Sequence, residues 1–244
     1  MKIVFALCMV FSLAFITCSH KRGSRIFSCK RVPEQYFNLL KDTGNSEALH
    51  NTIGDLNRII AESSGCSTAY MLLGDIYLSS NEYNLAENNF RYSLKIKGDN
   101  IYSIFRMGIL FLNRGINDSA VRYFDLAERM KNKNGFVIDD THEFEDVTGI
   151  PSFDIEYSKI IFNRAIANYR AGNYLNSMYD LNYCIKHNIL ANETYFYRGL
   201  VHLKIDDFER ACSDFNSAKL YGNDKASKFL KENNCVHFLS QKVH

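Results

Sequence analysis

The stretch YRGLVHLKIDDFERACSDFNSAKLYGN, residues Tyr197 to Asn223, alternates small and large residues at fixed distances. Gly199, Ala211 and Ala218 are the small residues, and Phe215 is the large one. Small residues let two helices approach closely and large residues fill the space around them, so this alternation predicts a packed helix pair. Asp206 lies where the first helix would stop and the second would start, and Asp tolerates such a turn.

The same pattern recurs in four units of 34 residues, two of them in residues 67–134 and two in residues 158–225. The equivalent small residues at unit position 8 are Gly74, Gly108, Ala165 and Gly199, and the turn residues at position 15 are Asn81, Gly115, Gly172 and Asp206. One such unit cannot bury its own apolar face, so neighbouring units are expected to stack.

This helix-turn-helix unit resembles the tetratricopeptide repeat. The resemblance implies an all-α fold: a right-handed α-solenoid of helical repeats with a C-terminal capping helix. The third unit departs from the family pattern, because Arg164 replaces an apolar residue and Asn168 replaces an aromatic one. We expect these two residues to weaken the core of that unit.

Both ends of the array carry further helical segments. Residues 33–66 fit a degenerate repeat, with a first helix near 34–41 and a second near 47–62. In residues 226–244, the segment ASKFLKENN (226–234) is amphipathic and is similar to the solvating helix that ends such arrays.

The N-terminus predicts export. Residues 1–17 combine a basic start with a short apolar run, which is typical of a signal peptide and too short for a membrane span. Cys18 follows directly and resembles the lipidated Cys of bacterial lipoproteins, which implies an outer-membrane anchor. The alternative is a soluble secreted protein cleaved near Thr17 or Ser19. Residues 18–32 form a basic tether, which either rests on anionic lipid head groups or is a solvated linker.

Cysteines in an exported chain suggest disulfides. The last repeat helix and the capping helix are predicted to be antiparallel, and Cys212 and Cys235 lie at similar distances from the turn near Gly222. We predict a Cys212–Cys235 disulfide and a second one between Cys29 and Cys66; free thiols are the alternative for both pairs. Cys184 is expected to be a buried free thiol.

The resemblance also implies a binding groove lined by the first helix of each unit. Its residues carry aromatic rings, apolar side chains and four cations, which suit a peptide with apolar anchors and acidic groups. The alternative is that some of these rings pack against neighbouring helices. The groove positions, carried over residue by residue, are Met71, Asp75, Tyr102, Phe105, Arg106, Ile109, Lys159, Phe162, Asn163, Ile166, Tyr169, Arg170, Phe196, Tyr197, Leu200 and Lys204.

One insertion interrupts the array. Residues 135–157, GFVIDDTHEFEDVTGIPSFDIEY, contain seven carboxylates and no Lys or Arg. We expect a loop or small hairpin that meets a basic partner, folds over the cations of the groove, or binds Ca²⁺. HEFED (142–146) lacks the second His of a zinc protease motif, so no zinc site is predicted.

The sequence contains no catalytic motif that we recognise, neither a G-x-S-x-G elbow nor a phosphate-binding glycine loop. The formal net charge of +2 gives no reason to expect a nucleic-acid partner, and no cofactor is predicted. We therefore expect a non-enzymatic module of the bacterial cell envelope that binds another protein or peptide. The alternative is a structural subunit of an envelope assembly or secretion complex, bound through its convex face and the acidic insertion.

Overall fold

The structure is a computed structural model that describes Cys29, residues 46–133, residues 155–232 and Cys235. The predicted signal peptide, Cys18, the basic tether, the first helix of the degenerate repeat, residues 135–154 of the insertion and the C-terminal tail lie outside these residues. The described part is all-helical, which confirms the predicted fold class. Its helices are α1 (Ser46–Glu62), α2 (Ser67–Ser79), α3 (Tyr83–Ile96), α4 (Ile101–Asn113), α5 (Asn117–Lys133), α6 (Tyr157–Ala171), α7 (Tyr174–Lys186), α8 (Ala191–Lys204), α9 (Phe208–Leu220) and α10 (Asp224–Glu232).

The helices pack as consecutive antiparallel pairs. The four repeat units are α2–α3, α4–α5, α6–α7 and α8–α9; α1 packs before them on α2, and α10 packs after them on α9. Helices α4 and α9 begin with side-chain caps: Asn100 accepts a hydrogen bond from the Ser103 amide (3.0 Å), and Asp207 accepts one from the Arg210 amide (3.1 Å). The chain thus forms a solenoid of stacked helix pairs.

The turn inside each unit has the same backbone geometry. Asn81 and Asp206 have φ angles of 60° and 59°, and Gly115 and Gly172 have φ angles of 74° and 82°. All four residues are therefore left-handed, a conformation that Gly, Asn and Asp adopt more easily than other residues. The residue types at position 15 thus indicated the correct turn.

Each unit is held by a large side chain packed against a small one. Phe90, Phe124 and Phe215 are fully buried, each beneath a glycine of the facing helix. A Cβ atom at Gly108, for example, would lie 2.5 Å from the Phe124 ring. The third unit has Ala165 in place of the glycine and Leu181 in place of the phenylalanine. The extra methyl group of Ala165 therefore faces a smaller side chain, and both residues are fully buried.

The end of the insertion belongs to the core. Ile155 is 7% exposed and packs in the same cluster as Phe124 and Ile160. The Tyr157 hydroxyl donates a hydrogen bond to Glu128 Oε1 (2.7 Å), and the Tyr157 ring meets Tyr183 edge-on. Helix α6 therefore begins one residue before the start of the third unit that we predicted, and the insertion re-enters the array through packed side chains.

Both predicted cysteine pairs are bonded in the structure. Cys29–Cys66 and Cys212–Cys235 have S–S distances of 2.04 Å and 2.02 Å. The first pair lies beside the start of α2, and the second joins α9 to the residue that follows the capping helix. Cys184 is a buried free thiol, and burial raises its pKa to about 12, so it is not a reactive nucleophile near neutral pH.

Candidate peptide-binding surface

Helices α2, α4, α6 and α8 lie side by side, since α2 contacts α4, α4 contacts α6 and α6 contacts α8. We call the surface that these helices share the first-helix surface. It carries the residues predicted to line a groove. Their exposure divides them into a buried set and an accessible set.

The phenylalanines belong to the buried set. Phe105, Phe162 and Phe196 are 6%, 5% and 8% exposed. Phe105 packs on Phe124 at 5.6 Å between ring centroids, and Phe196 packs on Phe215 at 5.8 Å. The structure thus places the three rings in the core, beneath the first-helix surface, which is the packing alternative considered above. Met71 and Ile166 are buried as well.

Two predicted residues of the second unit are tied to the first unit. The Tyr102 hydroxyl donates a hydrogen bond to Asp75 Oδ2 (2.7 Å), and the Arg106 guanidinium forms an ion pair with the same carboxylate. Asp75 is only 4% exposed, whereas Tyr102 and Arg106 remain half-buried. This cluster fixes α4 against α2, and only part of it is open to a partner.

The accessible aromatic residues lie between α6 and α8. Tyr169 and Tyr197 are half-buried and meet edge-on at 6.1 Å between ring centroids, with Phe162 beneath Tyr197 at 6.2 Å. Burial raises the pKa of Tyr169, so its hydroxyl stays protonated and is available as a hydrogen-bond donor. The two rings form a firm apolar platform with polar ends.

Exposed cations lie on the same two helices as this platform. Arg170 and Lys204 are exposed residues near the ends of α6 and α8, and Lys159 is an exposed residue in the first turn of α6. Arg170 is held in place because its guanidinium donates to the Leu112 carbonyl (3.4 Å) and its own carbonyl accepts from Asn117 Nδ2 (3.2 Å). Lys159 pairs with Glu156 (3.0 Å), so its charge is partly balanced.

The remaining predicted residues are half-buried. Asn163 Nδ2 donates to the Lys159 carbonyl (2.7 Å), while Ile109 and Leu200 contribute apolar surface. The accessible part of the first-helix surface therefore combines aromatic and aliphatic groups with more positive than negative charge. Its accessible members are Tyr102, Arg106, Ile109, Lys159, Asn163, Tyr169, Arg170, Tyr197, Leu200 and Lys204.

Two largely buried ion pairs were not predicted from the sequence. Arg164 donates to both oxygens of Asp180 (2.9 and 2.8 Å), and Arg198 does the same to Asp214 (2.8 and 2.8 Å). Both pairs occupy unit positions 7 and 23. From the sequence, Arg164 was expected only to weaken the core of its unit. In two units, however, an Arg is followed sixteen residues later by an Asp, and this recurrence is the signal that identifies both ion pairs.

Arg164 also reaches the preceding unit. Its guanidinium contacts Asp125 (3.0 Å) and, more closely, Glu128, both on α5. Burial alone would lower the pKa of Arg164, but its bonds to Asp180 and Glu128 raise it, so the side chain stays charged. The residue thus joins the two units that the insertion separates in sequence.

Within the described residues, no helix combines the length and apolarity of a membrane span, and no group of three or more His, Cys, Asp or Glu side chains is placed to hold a metal ion.

Comparisons with known proteins point to one fold. Models of known protein families give no match, and a search of curated proteins finds no similar sequence. Solved structures do match. YrrB, described as a TPR protein with an unusual peptide-binding site, has a TM-score of 0.60 at 13% identity and covers 81% of this chain and 90% of its own. MamA from Desulfovibrio magneticus RS-1 has a TM-score of 0.60 at 10% identity, covering 78% and 93%.

PilW, described as a widely conserved type IV pilus biogenesis factor, has a TM-score of 0.55 at 13% identity and covers 86% of this chain and 93% of its own. The fold is a tetratricopeptide-like array of helical repeats. At these identities the likeness concerns the fold alone, and it agrees with the repeat that the sequence resembles.

Proposed function

We propose that this protein is a non-enzymatic binding module that holds a peptide segment of a partner protein on its first-helix surface. The observation that carries the proposal is the platform of Tyr169 and Tyr197, two half-buried rings that pack against each other, with the exposed cations Arg170 and Lys204 on the same two helices. Half-buried aromatic rings anchor apolar side chains, and nearby cations attract carboxylates. The preferred segment therefore carries an apolar anchor with acidic residues on either side.

The bacterial cell envelope is the proposed location. The signal-peptide pattern of residues 1–17 and the position of Cys18 support an exported lipoprotein of the outer membrane. The description of PilW as a type IV pilus biogenesis factor supports a place among envelope assembly proteins. Mass spectrometry of the mature N-terminus tests the anchor: we expect a diacylated Cys18. An unmodified N-terminus at any other residue contradicts it and leaves a secreted protein.

The partner is best identified by chemical cross-linking of the full chain in native membranes, followed by measurement of its affinity for the protein recovered. The decisive variant is Arg170→Glu combined with Lys204→Glu, since both residues are exposed. Arg170→Glu also removes the hydrogen bond to the Leu112 carbonyl, so circular dichroism verifies that the fold is kept. We expect affinity to fall by about tenfold or more, with a weaker salt dependence, because two attractive charges become repulsive.

The matched control reverses two exposed lysines away from the first-helix surface, Lys219→Glu with Lys225→Glu. Unchanged affinity in the Arg170/Lys204 variant, or an equal loss in the control, would rule out the first-helix surface as the binding site. Alanine at Phe105 or Phe196 is unsuitable as a test, because removing a buried Phe costs about 3 to 5 kcal/mol of stability.

A second candidate function is that of a structural subunit bound through the second helices of the units. It is favoured by two large apolar side chains that α7 exposes, Leu175 and Tyr179. Co-purification of this chain in a stable large complex that survives the Arg170/Lys204 reversal would support this second function over the first.

A further inference from the structure

The third unit differs from the others on its outward surface. Unit positions 18 and 22 lie on the second helix and are exposed in every unit. In the third unit they are Leu175 and Tyr179, which are 84% and 75% exposed. In the other three units they are polar: Asn84 and Asn88, Asp118 and Arg122, Glu209 and Ser213. The apolar pair on α7 therefore departs from the polar residues that the other three units share at these positions.

A cavity of about 370 Å³ lies beside this pair, between α7, α8 and α9. Leu175, Met178, Tyr179 and Asn182 follow the spacing i, i+3, i+4 and i+7, so they share one side of α7. Met178 and Asn182 line the cavity, together with Ile205 on the far side. The protruding side chains and the cavity are thus adjacent on one surface, which we call the α7–α9 surface.

Most of the residues that line the cavity are polar or charged, and His202 is one of them. Its side chain is 8% exposed, and its Nδ1 has no hydrogen-bond partner within the part of the chain that the structure describes. The nearest carboxylate oxygens belong to Asp207 and Asp214, each 3.7 Å from a ring nitrogen and so too distant for a hydrogen bond. Burial lowers the pKa of His202, which favours the neutral imidazole with one nitrogen free to accept.

The cavity suits a tyrosine. A tyrosine side chain has an apolar ring and a terminal hydroxyl donor, and buried tyrosine hydroxyls usually find an acceptor. Met178 and Ile205 provide apolar surface for such a ring. The other lining residues provide polar groups for its hydroxyl: Asn182, Arg198, His202, Arg210, Ser213 and Asp214. One exposed tyrosine of this chain, Tyr179, stands directly beside the cavity.

We propose that the α7–α9 surface is a self-association interface, in which Tyr179 of each copy enters the cavity of a second copy and places its hydroxyl among the polar lining residues. A twofold interface requires one surface to carry both the protruding and the receiving group, and this surface carries both. Its exposed charges are also of both signs, because Arg210 pairs with Asp207 at 3.2 Å, so two copies meet without like-charge repulsion.

The available area makes this a weak association. Helices α7 and α9 each have 13 residues. Two such helices, about 20 Å long and about 10 Å wide, present roughly 400 Å² to a partner. A standard stable interface buries about 800 Å² per partner, so we expect a dissociation constant of about 10 to about 100 µM. The interface is separate from the first-helix surface, and the two proposals succeed or fail independently.

Site-specific cross-linking of the full chain tests which molecule covers this surface. With p-benzoyl-phenylalanine at position 179, we expect irradiation of native membranes to give a product of twice the chain mass that contains only this chain. The same photoreactive residue at position 92, a tyrosine of α3 that is 54% exposed, is the control and should give no such product. A product joined only to a different protein, or no product at all, overturns the proposal.

Sedimentation of the purified full chain in mild detergent provides a second readout. Leu175→Asn with Tyr179→Asn copies the residues that the first unit carries at the same positions, so the fold should be kept. Over ~10 to ~500 µM, a range chosen to span micromolar dissociation constants, we expect this variant to stay monomeric while the wild type approaches the dimer mass.

The matched control is Leu85→Asn with Tyr92→Asn on α3, which makes the same chemical change on exposed residues of the first unit. It should dimerise like the wild type. A wild type that is monomeric throughout the range, or a control that loses association equally, contradicts the proposed interface. Circular dichroism of all variants verifies that helicity is kept.

Discussion

A single side-chain contact sets the distance between the two helices of each unit. Gly74 faces the buried Phe90, and a Cβ atom at position 74 would lie 2.7 Å from the ring. We expect Gly74→Ala to lower the free energy of unfolding by about 1 to 3 kcal/mol through overpacking. Gly74→Ala with Phe90→Leu should recover much of this loss, because Ala165 and Leu181 form that very pair in the third unit.

Urea unfolding of both variants measures the effect. Gly54→Ala on α1 is the control, since a Cβ atom there meets nothing within 4 Å and the substitution should raise stability by about 0.5 to 1 kcal/mol. If Gly74→Ala raises the free energy of unfolding as Gly54→Ala does, the close approach of the two helices does not limit the size of the side chain at position 74.

His202 predicts a pH dependence of stability. Burial lowers the pKa of this imidazole, an effect that Asp214 and Asp207 oppose and that Arg198 and Arg210 reinforce. The unfolded chain therefore binds the proton more readily than the folded chain. The stability that neutral His202 contributes is complete above the unfolded pKa of about 6.5 and is lost as the pH falls below it.

The test compares His202→Asn, which copies Asn168 of the third unit, with the wild type. We expect its free energy of unfolding to decline less steeply from about pH 7.5 to about pH 5.5. The measurement is made at a protein concentration too low for self-association. His50→Asn on the exposed side of α1 is the control, and an identical slope for wild type and His202→Asn would show that His202 is not the titrating group.

At the scale of helices, the junction between α5 and α6 depends on Arg164. Its side chain is 12% exposed and contacts Asp180, Asp125 and Glu128. Arg164→Leu introduces the residue type of Leu73 at this unit position but leaves the buried carboxylate of Asp180 without a counter-charge. We expect a loss of about 3 to 5 kcal/mol in the free energy of unfolding.

Asp180→Asn with Arg164→Leu should recover part of this loss, because the first unit has Leu73 and Asn89 at these positions. The recovery stays incomplete, since Glu128 on α5 still lacks the guanidinium. Denaturant unfolding of the single and double variants forms a mutant cycle. Additive effects would mean that Arg164 and Asp180 do not act as a pair.

The helices show what the sequence could predict. The period of 34 residues, the small residues at position 8 and the turn residues at position 15 act locally or between neighbours, so the pattern indicated the helix pairs. The groove was harder to predict. Whether Phe105 lies on the surface or in the core depends on the crossing of α4 with its neighbours, which residue spacing does not determine. The ion pairs of Arg164 and Arg198 join helices. Arg164 was interpreted only as a polar substitution, and Arg198 was not singled out.

At the scale of the whole molecule, disulfides lie towards both ends of the described array. Each unit of a solenoid contacts only its neighbours, so a loss of stability at one end should affect more distant units progressively less. Cys212→Ala with Cys235→Ala opens a loop with a sequence separation of 23 residues. We expect a local loss of about 3 kcal/mol.

Hydrogen exchange followed by mass spectrometry measures where this loss appears. Amides of α10 and α9 should exchange faster, those of α8 less so, and those of α2 to α4 at the wild-type rate. Cys184→Ala, at a buried free thiol, is the control and should not produce this pattern. Uniformly faster exchange in every helix would indicate that the array unfolds as one cooperative unit.

The Arg198–Asp214 pair lies within one unit, and Arg198 also donates to Asn182 of the unit before it (2.8 Å). The fourth unit carries Asn216 at the position equivalent to Asn182. A tandem copy of residues 192–225 would therefore find every hydrogen-bond partner of its arginine already in place. Gene duplication or protein engineering can thus lengthen the array at this point without redesigning its polar contacts.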